Sequence, residues 1–140
     1  MFGTSGVRGP VGEDVTAGLA LDVGRALATD GAATVVVGRD ARDSGRMLVR
    51  ALVAGLTECG ADAVDVGVEA TPTVARAVAR EGADAGVVVT ASHNPAPDNG
   101  IKLWTASGRA FGDERNDRIT EIVESESFDL AAADAIGAVE

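Results

Sequence analysis

The sequence predicts an α/β domain of three layers, with helices on both faces of a mostly parallel, mixed sheet. Three observations predict it. The runs Ala33-Thr34-Val35-Val36-Val37 and Ala85-Gly86-Val87-Val88-Val89 lack polar alternation and read as strands buried on both faces. Between such runs lie segments whose apolar residues recur at four-residue spacing. Only Phe2, Trp104, Phe111 and Phe128 are aromatic, so the core must come from Val, Ala, Leu and Ile, which suits helices on a sheet better than a β-sandwich.

The elements follow in order. Thr16 can cap a helix carrying Leu19, Val23 and Leu27, which Gly31 ends. The strand Ala33–Val37 comes next. Ser44 then caps a second helix with Leu48, Leu52, Leu56 and Cys59 on one stripe, stopped by Gly60. Cys59 reads as a small core residue. Residues Ala63 to Val68 alternate as a strand, and Thr71-Pro72 opens a helix to about Glu81, with Pro in the first turn where its missing N–H costs nothing. The apolar strand Ala85–Val89 is expected at the centre of the sheet. A turn at Asn99-Gly100 precedes the strand Ile101–Trp104, and Asp113 to Glu124 forms an amphipathic helix. Residues 1–126 make one domain, and the Ala/Asp-rich residues 127–140 read as a linker toward further domains.

Charge narrows the partners. Twenty-two acids against 12 bases give −10, and an acidic chain repels phosphodiester backbones, so no nucleic-acid partner is expected. Lys102 is the single lysine among those bases. An acidic surface nearly free of lysine has the look of a protein adapted to high salt, while a GC-rich genome would explain the lysine deficit alone. One cysteine excludes an internal disulfide and a Cys-based zinc site. No apolar run approaches the ~20 residues of a membrane span, and the N-terminus lacks a basic region followed by an apolar one. A cytoplasmic protein with no membrane partner is the expectation.

In parallel sheets, ligands collect at the carboxyl ends of strands. Three polar segments fall there. Thr90-Ala91-Ser92-His93-Asn94-Pro95 leaves the central strand. A serine hydrolase is disfavoured: no G-x-S-x-G elbow surrounds Ser92, and the one histidine, His93, is its immediate neighbour, which in extended backbone points to the other side. A phosphoryl-carrying serine, served by loop amides, Asn94 and a nearby Arg, remains open beside a plain loop of turn formers. Phe2-Gly3-Thr4-Ser5-Gly6-Val7-Arg8-Gly9 can wrap an anion but is no Walker loop. In Gly38-Arg39-Asp40-Ala41-Arg42-Asp43-Ser44-Gly45 an anion site competes with an Arg–Asp network bracing the loop, and the brace is preferred. Lys102 stands out as a tunable proton carrier in a chain otherwise served by arginine.

Taken together, these three segments, with Gly67 to Thr71-Pro72 and Asn99-Gly100-Ile101-Lys102, resemble the first domain of the α-D-phosphohexomutases across about residues 1–125. The resemblance implies an intramolecular phosphotransferase that interconverts hexose 1- and 6-phosphates through a phosphoserine and a sugar bisphosphate. It implies Ser92 as the phosphate carrier, Lys102 as general acid/base and Arg8 as an active-site cation beside the phosphate. Thr4, Ser5, His93 and Asn94 are implied to contact phosphate or substrate or to shape the serine loop. Mg²⁺ is the implied cofactor, held through the phosphate of Ser92 and by three Asp of another domain. No Asp-x-Asp-x-Asp occurs in this chain, so the remaining domains of a parent enzyme and a hexose phosphate are the implied partners. A sugar-phosphate or phosphoserine binding module without turnover is the alternative from another class.

Overall fold

A computed structural model of the chain describes residues 6–140. Among them the elements run β1 (Val7–Pro10), α1 (Ala17–Thr29), β2 (Thr34–Arg39), α2 (Gly45–Glu58), β3 (Asp62–Val68), α3 (Thr71–Arg80), β4 (Ala85–Val89), β5 (Asp98–Thr105) and α4 (Asp113–Ser125). The sheet is mixed, in the order β1-β5-β4-β2-β3. Strands β4, β2 and β3 are parallel, and β5 and β1 continue the sheet antiparallel. Strand β4 is central, and all five of its residues are buried.

Two cores separate three layers. Helices α1, α2 and α4 cover one face with Val23, Leu27, Leu48, Leu52, Leu56 and Ile119 over Val35, Val37, Val87 and Ile101. Helix α3 covers part of the other, setting Val74 and Val78 against Val36, Val88 and Trp104. Each fully buried Leu or Ile contributes about 1.5–3 kcal/mol, so the helical stripes drive the layering. Helices α1 and α2 meet through glycine. A Cβ on Gly24 would strike the Leu52 carbonyl, and one on Gly55 the Leu21 carbonyl. The Asp84 carboxylate accepts from the amides of Ala33 (2.8 Å) and Thr34 (3.0 Å), tying the starts of β2 and β4. No helix among the described residues is long and apolar enough to cross a membrane.

Thr16 caps α1 as predicted, its hydroxyl accepting from Leu19 N at 3.1 Å. Four local expectations are corrected. Asn99-Gly100 is no turn: β5 begins at Asp98, and pairing with β1 on one side and with the Thr90 amide just beyond β4 on the other holds these residues in the ladder. Ser44 stands at the start of α2 but makes no capping bond; its hydroxyl accepts from the buried Asn99 amide at 2.8 Å. Cys59 lies at the C-terminus of α2, half-buried and outside both cores; burial pushes its thiol pKa up, and a hydrogen bond with Thr29 pulls it back. Ser92 is not in extended backbone, as the site below shows.

Residues beyond α4 lie back on the domain. Ala131 N donates to Glu58 O and Gly137 N to Thr57 O. Val139 bridges Ala63 in parallel, with Ala63 N on Ala138 O and Asp65 N on Glu140 O. These contacts occupy the free edge of β3.

Candidate functional site

The site forms where β2 and β4 end side by side. The segments after them were separate candidates in the sequence; hydrogen bonds make them one unit. Asp40 N donates to Val89 O at 3.1 Å, which brings the Arg39–Gly45 loop under the chain leaving β4. Thr90 N still pairs with Gly100 O at 3.0 Å, and the chain then departs from the sheet through Ala91.

Ser92 follows in the left-handed region, φ +56°, with its side chain exposed. A left-handed L-residue costs about 1–2 kcal/mol, so the surroundings must impose it. They do so on both sides of the residue. Ser92 N donates to Thr90 Oγ1 at 3.0 Å, and Thr90 Oγ1 donates to Asp40 Oδ2 at 2.6 Å. Ser92 O accepts from Arg42 Nη2 at 2.9 Å, and Arg42 Nε returns to Asp40 Oδ2 at 3.2 Å. The turn is closed by Asn94 N on Ala91 O, and Asn94 Nδ2 reaches Asp98 Oδ2 at 3.2 Å. The preferred Arg–Asp brace is therefore present. Its load is the serine loop as well as its own.

The other predicted residues fall around this loop to differing degrees. Arg8 on β1 pairs with Gly100 of β5, which in turn faces Thr90, so three strands place the Arg8 row level with the base of the serine loop. Its Nε is enclosed and has no hydrogen-bond partner among the described residues. Lys102 sits opposite Val88, on the same sheet face as Trp104. It is half-buried, and its Nζ rests 4.9 Å from the Trp104 ring centre. Among the described residues it forms no ion pair, so a cation–π contact is what holds the ammonium. His93 is exposed beside Ser92. Thr4 and Ser5 lie outside the described residues.

Chemically, the loop offers an exposed hydroxyl at a strand's carboxyl end, pinned from below, with a half-buried ammonium and an enclosed guanidinium on neighbouring strands. No group of three or more His, Cys, Asp or Glu able to hold a metal occurs among the described residues. The two carboxylates nearest in sequence and bonding are committed, Asp40 to Thr90 and Arg42 and Asp98 to Asn94. A cavity of about 610 Å³ opens elsewhere, between α3 and the end of β5 over Trp104, and no residue of the serine loop lines it.

Sequence reasoning placed Asp40 in an Arg–Asp brace but missed the link from that brace through Thr90 to Ser92, and the Asn99–Ser44 bond beside it. Thr90 carried a visible signal, a hydroxyl two residues before the candidate serine at a strand end. Asn99 was masked by its glycine neighbour, which imitates a turn.

Comparison with known proteins agrees with this fold. The family model described as phosphoglucomutase/phosphomannomutase, alpha/beta/alpha domain I, matches residues 1–130. The chain is 48% identical over 141 aligned positions to a probable phosphoglucosamine mutase of Methanothermobacter thermautotrophicus, covering 99% of this chain and 31% of that protein. It is 50% identical over 129 positions to the phosphoglucosamine mutase of Rhodococcus opacus, covering 87% and 29%. Among solved structures, a phosphoglucomutase/phosphomannomutase family protein from Burkholderia thailandensis superposes with TM-score 0.86 at 33% identity, covering 99% of this chain and 32% of that one. A putative phosphomannomutase from Thermus thermophilus gives 0.82 at 34%, covering 100% and 32%. The chain spans about a third of the length of the curated relatives it matches.

Proposed function

The chain belongs to the phosphoglucomutase/phosphomannomutase family as its α/β/α domain I, and on that premise we propose that it is the phosphoserine domain of a hexose-phosphate mutase. The observation that carries the reading is Ser92: exposed, left-handed, and anchored through both its amide and its carbonyl at the end of the central strand. A nucleophile that must accept and return a phosphoryl group gains from being fixed in advance, since orientation supplies much of the catalysis in such transfers.

In the forward half-reaction the bond from Ser92 Oγ to phosphorus breaks and one forms from phosphorus to a sugar hydroxyl oxygen. That hydroxyl gives up its proton, and Ser92 Oγ regains one. Lys102, able to hold or release a proton, serves as the acid/base for this exchange. Arg8 offsets charge on the equatorial phosphoryl oxygens. His93 and Asn94 shape the loop around the ester, and Thr4 and Ser5 contact phosphate or substrate. The reverse half-reaction returns the other phosphate to Ser92 and leaves the isomeric monophosphate.

Mg²⁺ is the proposed cofactor, and it neutralises phosphate charge when bound. This chain's share of its ligands is the phosphate on Ser92, with carboxylates from the rest of the parent enzyme completing the set. The relatives named phosphoglucosamine mutase make an amino-hexose phosphate the first substrate to try, followed by glucose and mannose phosphates. We place residues 1–126 in this domain and 127–140 on the path to the next. By itself the domain should bind and present the phosphate without turning over sugar.

Peptide mass spectrometry of the full-length protein tests the assignment. Phosphate at Ser92, and loss of turnover in Ser92→Ala, are expected; phosphate confined to Ser44 or Ser107 defeats it. A binding module without turnover is the second reading, supported by the lack of a metal-holding carboxylate group among the described residues. It stands if the full-length protein carries phosphate and binds hexose phosphates but converts none.

A further inference from the structure

The geometry points to Arg42 as a positioning residue: it holds Ser92 in its reactive conformation and makes no contact with substrate itself. The inference rests on the reading that Ser92 carries the phosphoryl group, and it adds to that reading a residue 50 positions away in sequence.

A guanidinium has five N–H donors, and on Arg42 every one has an acceptor. Nε donates to Asp40 Oδ2 at 3.2 Å. Nη1 donates to Pro95 O at 2.8 Å and Asp98 O at 3.1 Å. Nη2 donates to Ser92 O and Asn94 O, each at 2.9 Å. Four carbonyls of one seven-residue loop thus converge on one planar cation. Four carbonyl dipoles aimed at one point repel each other unless a positive group sits among them. Removing Arg42 therefore turns the carbonyls outward and opens the loop, beginning with Ser92.

The Asp40 carboxylate completes a closed circuit. From Ser92 N the path runs through Thr90 Oγ1 to Asp40, then through Arg42 back to Ser92 O. Asp40 Oδ1 also accepts from Arg42 N at 3.1 Å, which fixes the start of the loop that carries the arginine. Both peptide groups of a residue at φ +56° are gripped by the same carboxylate–guanidinium pair. Because that pair is formally neutral and its donors are filled, it has neither a free charge nor a free N–H for a substrate phosphate. Its contribution lies in orientation, which a displacement of about 1 Å can reduce 10²-fold.

The test uses the full-length enzyme, with kcat and KM for a hexose 1-phosphate, thermal unfolding, and the ³¹P resonance of the phosphoserine. In Arg42→Ala, kcat should fall about 10²-fold with KM within about twofold of the parent, since binding groups are untouched. The ³¹P resonance should shift, millimolar guanidinium ion should restore part of kcat, and Arg42→Lys, with three donors from one point, should recover little. Parental kcat, or a raised KM at parental kcat, overturns the inference. So does a lower melting midpoint with kcat per folded molecule and the ³¹P resonance unchanged, the pattern of a merely structural arginine. If Arg42→Ala does not fold, Thr90→Val decides. It removes only the hydroxyl joining Asp40 to Ser92 N, and parental kcat there overturns the circuit. Ser92→Ala keeps the two ideas apart. Turnover in that variant defeats the phosphoserine reading, whereas a dead Ser92→Ala beside a fully active Arg42→Ala defeats only the positioning role.

Discussion

Replacing Ser92 by glycine should stabilise the fold relative to replacing it by alanine, although both variants lose the hydroxyl. The reason is the left-handed backbone at φ +56°. Alanine inherits the steric cost of that conformation, about 1–2 kcal/mol, and glycine does not. Glycine gives part of the gain back, because its unfolded chain is freer by about 0.4–1 kcal/mol. The net difference centres near 0.8 kcal/mol in favour of glycine. Melting entropy of about 2.1 cal/mol/K per residue gives roughly 0.3 kcal/mol/K for this chain, so glycine should melt about 3 °C above alanine. The side chain is exposed, so loss of the hydroxyl cancels in the comparison. Differential scanning calorimetry of the two variants reads the difference directly. A glycine variant melting at or below the alanine one would refute the argument, since it would mean that the left-handed geometry carries no strain.

Gly55→Ala should destabilise by roughly 1–3 kcal/mol through overpacking, because the new methyl meets the Leu21 carbonyl at the α1–α2 crossing; denaturant unfolding would show a lowered midpoint at constant slope. In the full-length enzyme, Lys102→Arg should keep KM and lower kcat by about 10²–10⁴, since arginine retains the charge but not an exchangeable proton; steady-state kinetics with near-parental kcat would make Lys102 a charge contact instead. The net charge of −10 should make the melting midpoint climb between low and molar KCl, as screening shortens charge repulsion to about 3 Å. A midpoint flat across that range would leave codon bias as the account of the missing lysines.

Legibility in the sequence followed the range of the interactions. Strand β4 was readable because five consecutive apolar residues admit only a buried place, and Thr16 because a cap acts three residues away. The position of Ser92 at a strand's carboxyl end was readable from the alternation of elements, and its role from resemblance. Its left-handed backbone was not, because Thr90, Asp40 and Arg42 impose it and two of these come from a loop 50 residues earlier. Asn99-Gly100 shows the opposite failure. The local turn preference of that pair is real, yet β1 on one side and the Thr90 amide on the other satisfy more backbone groups than a turn would. Residues 138–140 pair with β3 largely through main-chain atoms, with the Asp62 carboxylate accepting from Ala138 N besides, and main-chain pairing leaves no imprint on side-chain periodicity.

The strand order β1-β5-β4-β2-β3 has a consequence for a chain made from its N-terminus onward. Strands β2, β3 and β4 with their helices are complete by residue 89, and each parallel partner is at hand as it emerges. Strand β1 is the first made and the last matched, because its one partner in the sheet starts at Asp98. Until then the outer edge of β4, wholly apolar, has no neighbour either. Open apolar edges recruit other chains, so the window between residues 89 and 105 is when ribosome-bound copies are most prone to associate. The antiparallel β5 closes both openings in one step, and it is the same step that brings Arg8 alongside the serine loop.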